Sequence, residues 1–239
     1  MIAVWRLLRL VPHVLHGLWI VKRRFELLPA AERHQLVQWW SLKTLRILGI
    51  TLKAEGTALP AGHLLVANHI SWLDIAAVHA VLPQARFVSK ADVKHWPLVG
   101  ALVEGVGTLF IERASKRDAL RVVHQTAAAL QAGDCVAVFP EGTTGAGTEL
   151  LPFHANLLQA AISVEAPVLP LVLRWHEPGE RFSTAARFIG DTTLVQSLWA
   201  IASARGLGVE VQILPSVAVA GRDRRALGEA LRGAISARL

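Results

Sequence analysis

Tyrosine is absent from this chain of 239 residues, and cysteine and methionine occur once each. A single cysteine, Cys135, excludes an internal disulfide and suits a reducing compartment. It stands in an apolar run and reads as packing. No Gly-x-Ser-x-Gly elbow, Walker loop or His-Glu-x-x-His occurs, so serine-hydrolase, P-loop and zincin readings lack their signatures. No Cys/His cluster suggests zinc, and no metal is expected. Internal repeats and low-complexity linkers are missing too. Acidic residues are scarce at one end only. Residues 1–53 hold nine Lys/Arg against two Asp/Glu, whereas residues 54–239 hold sixteen of each, so the formal excess of +7 belongs wholly to the N-terminal segment.

That segment is also apolar, with Trp5, Trp19, Trp39 and Trp40 among many leucines. Basic charge, leucine and tryptophan together fit a membrane surface better than nucleic acid, which is not an expected partner. Residues 1–21 read as a helix interrupted by Arg6, Arg9 and Pro12. Its uncharged run, 10–21, has 12 residues, short of the roughly 20 that span a bilayer. Lys22-Arg23-Arg24 follows with no small-residue cleavage site. The expectation is a retained interfacial helix, the alternative an ordinary core helix. Residues 29–48 read as a second helix, so 1–48 forms a membrane-docking hairpin, and the chain divides into a docking segment (1–53) and an α/β domain (54–239).

From residue 50 onward, short apolar runs alternate with helical patterns. Strands are expected at 50–55, 63–67, 86–89, 108–111, 135–139, 168–174, 187–190 and 209–214. Helices are expected at 75–82, 98–104, 116–131, 152–164, 194–204 and 222–237. Such alternation implies a mostly parallel or mixed sheet covered by helices. In sheets of this kind ligands bind beyond the carboxyl ends of the strands. His69, Arg113 and Glu141 each stand just past an expected strand, and they converge if those strands are parallel neighbours.

The stretch Asn68-His69-Ile70-Ser71-Trp72-Leu73-Asp74 puts a histidine and an aspartate five positions apart. On a continuous helix they would lie off any shared face; a turn between strand and helix would let them meet. Histidine titrates near neutrality and can act as a general base, and a carboxylate on one ring nitrogen fixes its tautomer. Ser71-x-x-Asp74 also fits a capping box, in which Asp74 would only satisfy helix N–H groups. Arg113 offers a planar fork of donors suited to phosphate; the plainer reading is a surface ion pair with Glu112 or Asp118. Glu141-Gly142-Thr143-Thr144 places a carboxylate, a flexible backbone and two hydroxyls in one loop.

Four blocks in order, Asn68–Asp74 (NHxSxxD), Phe110-Ile111-Glu112-Arg113, Phe139-Pro140-Glu141-Gly142-Thr143 and Pro167-Val168-Leu169-Pro170, resemble the glycerolipid acyltransferase family over about residues 60–175. The resemblance implies a glycerolphosphate-acyltransferase-like fold. It implies transfer of a fatty acyl group from acyl-CoA or acyl-carrier protein to the hydroxyl of a lysophospholipid, with 1-acylglycerol-3-phosphate the leading acceptor. It implies His69 as base, Asp74 as its holder, Arg113 and the Glu141–Thr144 loop as binders of the acceptor's polar part, and no cofactor beyond the co-substrate. Pro167 and Pro170 would shape a strand edge on the acyl side. Oxyanion donors are sought among backbone N–H groups near the helix after Ser71. The family pattern usually has Arg after Glu-Gly-Thr; here Thr144 stands there, leaving room for another lysolipid such as lyso-ornithine lipid. His154 is read as a first-turn residue of its helix. The rival class is a non-catalytic lipid-binding protein on the same fold. The expected location is the cytoplasmic face of a bacterial inner membrane.

Overall fold

The computed structural model describes residues 1–57, 62–96, 98–111 and 116–239. Helices α1 (Ile2–Arg23) and α2 (Ala30–Leu48) lead into β1 (Thr51–Glu55) and β2 (Leu64–Ala67). Then come α3 (Asp74–Val81), β3 (Ala85–Lys90), α4 (Val99–Gly105), β4 (Leu109–Ile111), α5 (Lys116–Gln131) and β5 (Cys135–Val138). The last third holds α6 (Leu158–Ser163), β6 (Val168–His176), α7 (Leu194–Ser203), β7 (Gly208–Ile213) and α8 (Arg224–Ser236).

The strands form one sheet in the order β1-β7-β6-β2-β5-β3-β4. Every neighbouring pair is parallel except β6 and β7, so the sheet is mixed, as expected. Alternation along the central strands sends side chains into two cores. Leu65, Ala67, Ala137, Leu169, Leu171, Leu173 and Trp175 join α1, α2, α3 and α7 on one face. Leu64, Val66, Val136, Val138, Val168 and Val172 join α5, α6 and α8 on the other. All four residues of β2 and of β5 are buried, which is why both read as unbroken apolar runs.

Three local expectations fail. Residues 187–190 are irregular, with Phe188 N–H donating to Ile70 O (3.1 Å) in place of a strand ladder. The helix expected from 152 starts only with a 3-10 turn at Ala155–Leu157, because His154 N–H is drawn to Pro140 O (2.7 Å). Pro170 lies inside β6, flanked by β2 and β7, and not on an edge. It is tolerated because the β6–β7 ladder begins at Leu171↔Ile213, and Val168 meets Val217 beyond it with one extra residue on the partner side. At that bulge the Pro170 carbonyl still accepts from Leu214 N (2.9 Å), so the pairing lacks only the donor that proline cannot supply.

α1 runs unbroken through Pro12. Gly17 lets the Trp40 indole approach so closely that a Cβ there would sit 2.4 Å from Nε1. The Arg6 guanidinium donates to Ala202 O (3.0 Å) and Ala204 O (2.6 Å) at the end of α7, where helix carbonyls lack partners. The buried side of the pair, with Ala3, Leu10, Leu45 and Leu48, belongs to the same core as the sheet. On the outer side of α1, Ile2, Trp5, Leu8, Val11, Leu15 and Trp19 are exposed at spacings of three and four, a single apolar stripe. No helix among the described residues is long and apolar enough to cross a membrane.

Candidate active site

The turn after β2 is built by side chains replacing backbone. Asn68, buried, continues the β2–β6 ladder with its amide: Nδ2 donates to Leu173 O (2.9 Å) and Leu173 N donates to Oδ1 (2.8 Å). The chain then turns through Ile70–Leu73 and enters α3 at Asp74. This turn brings together two residues five positions apart: His69 Nδ1 and Asp74 Oδ2 are 2.8 Å apart.

Asp74 has no exposed surface. Its Oδ2 also accepts from Ile70 N (2.7 Å) and Ser71 N (2.9 Å), and its Oδ1 accepts from Trp175 Nε1 (2.6 Å). The Ser71 N–H bond is half of the expected capping box, so the carboxylate serves both readings at once; the other half fails, because Ser71 Oγ accepts from Leu73 N (3.3 Å). A carboxylate surrounded by donors is an acceptor only, so His69 Nδ1 must donate to it, and Nε2 keeps its lone pair. Nε2 has no hydrogen-bond partner among the described residues, and the His69 side chain retains 19% of its exposure. Phe139 stacks on the imidazole at 3.9 Å between centroids, and Phe87 backs Phe139 at 5.5 Å. Apolar rings thus hold the imidazole in one plane.

The second motif loop meets the first because β5 pairs directly with β2 in parallel. Gly142 adopts φ 70°, a left-handed turn that favours glycine, and its N–H closes on Phe139 O (3.0 Å). Glu141 is buried, and both its oxygens are used: Oε1 accepts from His69 N (2.8 Å) and Oε2 from Leu151 N (2.9 Å). Gly145 N donates to His69 O (2.7 Å), so His69 is gripped through both its backbone polar groups. Gly147 passes so near Ile70 that a Cβ would lie 2.9 Å from its side chain. Burial pushes the Glu141 carboxyl above its ordinary 4.5; its two backbone donors and nearby His69 pull the other way. Thr144 Oγ1 donates to Phe188 O, and Thr143 is exposed.

Arg113 lies outside the described residues. The strand before it, β4, ends at Ile111 on the same sheet edge, three strand spacings from β2, or about 14 Å. Several N–H groups of this turn are already bonded: Ile70 N and Ser71 N serve Asp74, Leu73 N serves Ser71 Oγ, and Asp74 N serves Ser71 O at 3.0 Å. Sequence reasoning missed Trp175 and the stacking role of Phe139. Trp175 follows the expected end of its strand by one residue, and nothing local links it to Asp74, 101 positions away. Among the described residues no group of three or more His, Cys, Asp or Glu is placed to hold a metal ion.

The geometry is a histidine–carboxylate pair at the carboxyl edge of an α/β sheet, its second ring nitrogen without a hydrogen-bond partner among the described residues. The acyltransferase family model matches residues 52–174, and the chain belongs to that family. It is 38% identical to the 1-acyl-sn-glycerol-3-phosphate acyltransferase of Neisseria gonorrhoeae, over 80% of this chain and 74% of that protein. It is 34% identical to the lyso-ornithine lipid O-acyltransferase of Pseudomonas aeruginosa, over 91% of this chain and 84% of that protein. The crystal structure of 1-acyl-sn-glycerophosphate (LPA) acyltransferase, PlsC, from Thermotoga maritima has the same fold, with TM-score 0.66 and 19% identity over 98% of this chain and 95% of that one.

Replacing Glu141 by Gln sets an amide donor against one of two backbone N–H groups. The expected result is a loss of about 2 kcal/mol in unfolding free energy. Because the folded carboxyl is raised, the folded state binds the proton more tightly than the unfolded chain. Wild type's advantage over Glu141→Gln should therefore be largest below pH 4.5, shrink as pH rises through the raised value, and stay flat above it. Urea unfolding of both proteins across that range checks this; an advantage that grows with pH contradicts it.

Proposed function

We propose that this chain is an O-acyltransferase that moves a fatty acyl group from acyl-CoA or acyl-carrier protein to the free hydroxyl of a lysolipid. The observation that carries the reading is the 2.8 Å His69–Asp74 pair, whose Nε2 has no hydrogen-bond partner among the described residues. His69 Nε2 takes the proton of the acceptor hydroxyl as its oxygen attacks the thioester carbonyl. Asp74 stabilises the imidazolium that forms. When the tetrahedral adduct collapses, the C–S bond breaks and the proton passes to the leaving thiolate. The donor arrives activated, so no covalent enzyme intermediate is needed. Glu141 acts here as a positioning residue for His69, while Gly142, Thr143 and Thr144 line the acceptor's side of the loop. Arg113 is assigned to the acceptor's anionic group by the family resemblance.

The favoured acceptor is 1-acylglycerol-3-phosphate, giving phosphatidate, in keeping with the Neisseria relative's name. Thr144 favours a second reading, a lyso-ornithine lipid, in keeping with the Pseudomonas relative's name. Removing the imidazole by His69→Ala should cut turnover by roughly 10²–10⁴-fold while leaving the fold intact. Transfer of labelled acyl groups to each acceptor measures this; near-wild-type turnover in the variant sinks the mechanism.

Residues 1–48 are proposed to hold the enzyme on the cytoplasmic face of a bacterial inner membrane. Supporting this, the α1 stripe leaves Trp5 and Trp19 61% and 51% exposed, and Lys22, Arg23 and Arg24 are exposed at the helix end. Both indoles lie outside the core, so Trp5→Ser with Trp19→Ser should keep the thermal stability and lower binding to anionic vesicles at least tenfold. Unchanged vesicle binding by the double variant places the anchor elsewhere.

A further inference from the structure

The segment Ser183–Ile189 is laid against both motif loops. Its start is fixed by Glu177, whose Oε1 accepts from Ser183 Oγ (2.6 Å), Thr184 N (3.1 Å) and Ala185 N (3.2 Å), and by Ser183 N on Trp175 O (2.7 Å). Ala186 is sealed in the core. Phe188 then donates its N–H to Ile70 O (3.1 Å), beside the catalytic histidine, and its carbonyl accepts from Thr144 Oγ1. Arg187 stands between these anchors, so its backbone has one position relative to His69 and the Glu141–Thr144 loop.

The Arg187 side chain is half-buried. Its Nε is sealed from solvent without an acceptor, and among the described residues no hydrogen bond or ion pair reaches its guanidinium. Arg174 makes a useful contrast. Its Nε is also unbonded, but its terminal nitrogens meet Glu210 (3.6 Å) and Arg238 O (2.9 Å). A guanidinium cannot shed its proton, so a partly desolvated one without an anion is unfavourable by itself and is relieved when an anion binds. The loop that has Thr144 in place of a cation uses that same hydroxyl to fix the segment bearing one.

We propose that Arg187 is a headgroup-binding residue whose guanidinium takes the anionic oxygens of the acceptor lysolipid, either a phosphomonoester or a carboxylate. The planar fork of donors suits both. The proposal rests on the acyltransferase reading above and adds the residue that recognises the acceptor's charge from outside the four sequence blocks.

The test is kinetics of full-length wild type, Arg187→Gln and Arg187→Lys, varying lysophosphatidate or lyso-ornithine lipid at saturating acyl donor. Arg187→Gln should raise the acceptor KM about tenfold or more, leave the donor KM within twofold and leave thermal unfolding unchanged; Arg187→Lys should recover part of the loss. A loss confined to lysophosphatidate assigns the phosphomonoester, and one confined to lyso-ornithine lipid assigns the carboxylate. An unchanged acceptor KM, or a rise confined to the donor, overturns the proposal. If Arg187→Gln does not fold, Arg187→Lys decides alone: an acceptor KM equal to wild type overturns it. If wild type acylates neither lipid, the choice of substrates fails separately. Calorimetric titration of glycerol 3-phosphate and of ornithine then decides Arg187: binding lost in Arg187→Gln supports the role, and equal binding, or none by wild type, overturns it.

Discussion

A carboxylate with no exposed surface stays ionised in a folded protein only when donors replace the water it has lost. Asp74 has four: two backbone N–H groups of its own turn, the His69 ring and the Trp175 indole. Much of the molecule is needed to deliver them. The turn requires β2 to end at Ala67 with Asn68 bridging to Leu173. The indole requires β6 to run beyond the level of β2, which its nine-residue length provides. The imidazole is held in place by Glu141 and Gly145 from the loop after β5 and by the Phe139 ring. The site is therefore a junction of the three central strands, with both cores of the sheet behind it.

The architecture was legible where sequence is local. Unbroken apolar runs marked β2 and β5, and alternation with helical patterns marked the mixed α/β class. The His69–Asp74 pair could be read because a turn was the only way to join residues five apart. What escaped depends on contacts distant in the chain. Trp175 lies one residue past the expected strand end, and only the longer β6 of the sheet brings it to Asp74. Pro170 reads as an edge marker because its bulge arises from the β6–β7 pairing. Residues 187–190 have a strand's composition, but the segment is drawn to Ile70 and Thr144 instead of a ladder. The N–H groups of Ile70 and Ser71 are bonded to Asp74, a use of the turn that the residue order alone does not reveal.

Two charge distributions frame the catalytic junction. His69 and the carboxylates beside it are buried or nearly so, and both Glu141 oxygens are taken by backbone N–H groups. The formal excess of positive charge lies apart from them, in the N-terminal segment. The α1–α2 pair is apolar toward the sheet and, along α1, apolar away from it as well. The outer stripe is thus exposed apolar surface on the helix, the feature on which the proposed membrane docking rests.

The most direct test is nitrogen NMR of the His69 ring in the full-length protein at a pH where the ring is neutral. Asp74 already accepts from three other N–H groups, so the ring proton should reside on Nδ1, with Nε2 showing the shift of an unprotonated nitrogen. A ring protonated at Nε2 would mean that Asp74 does not set the tautomer, and the base would have no lone pair to offer the acceptor.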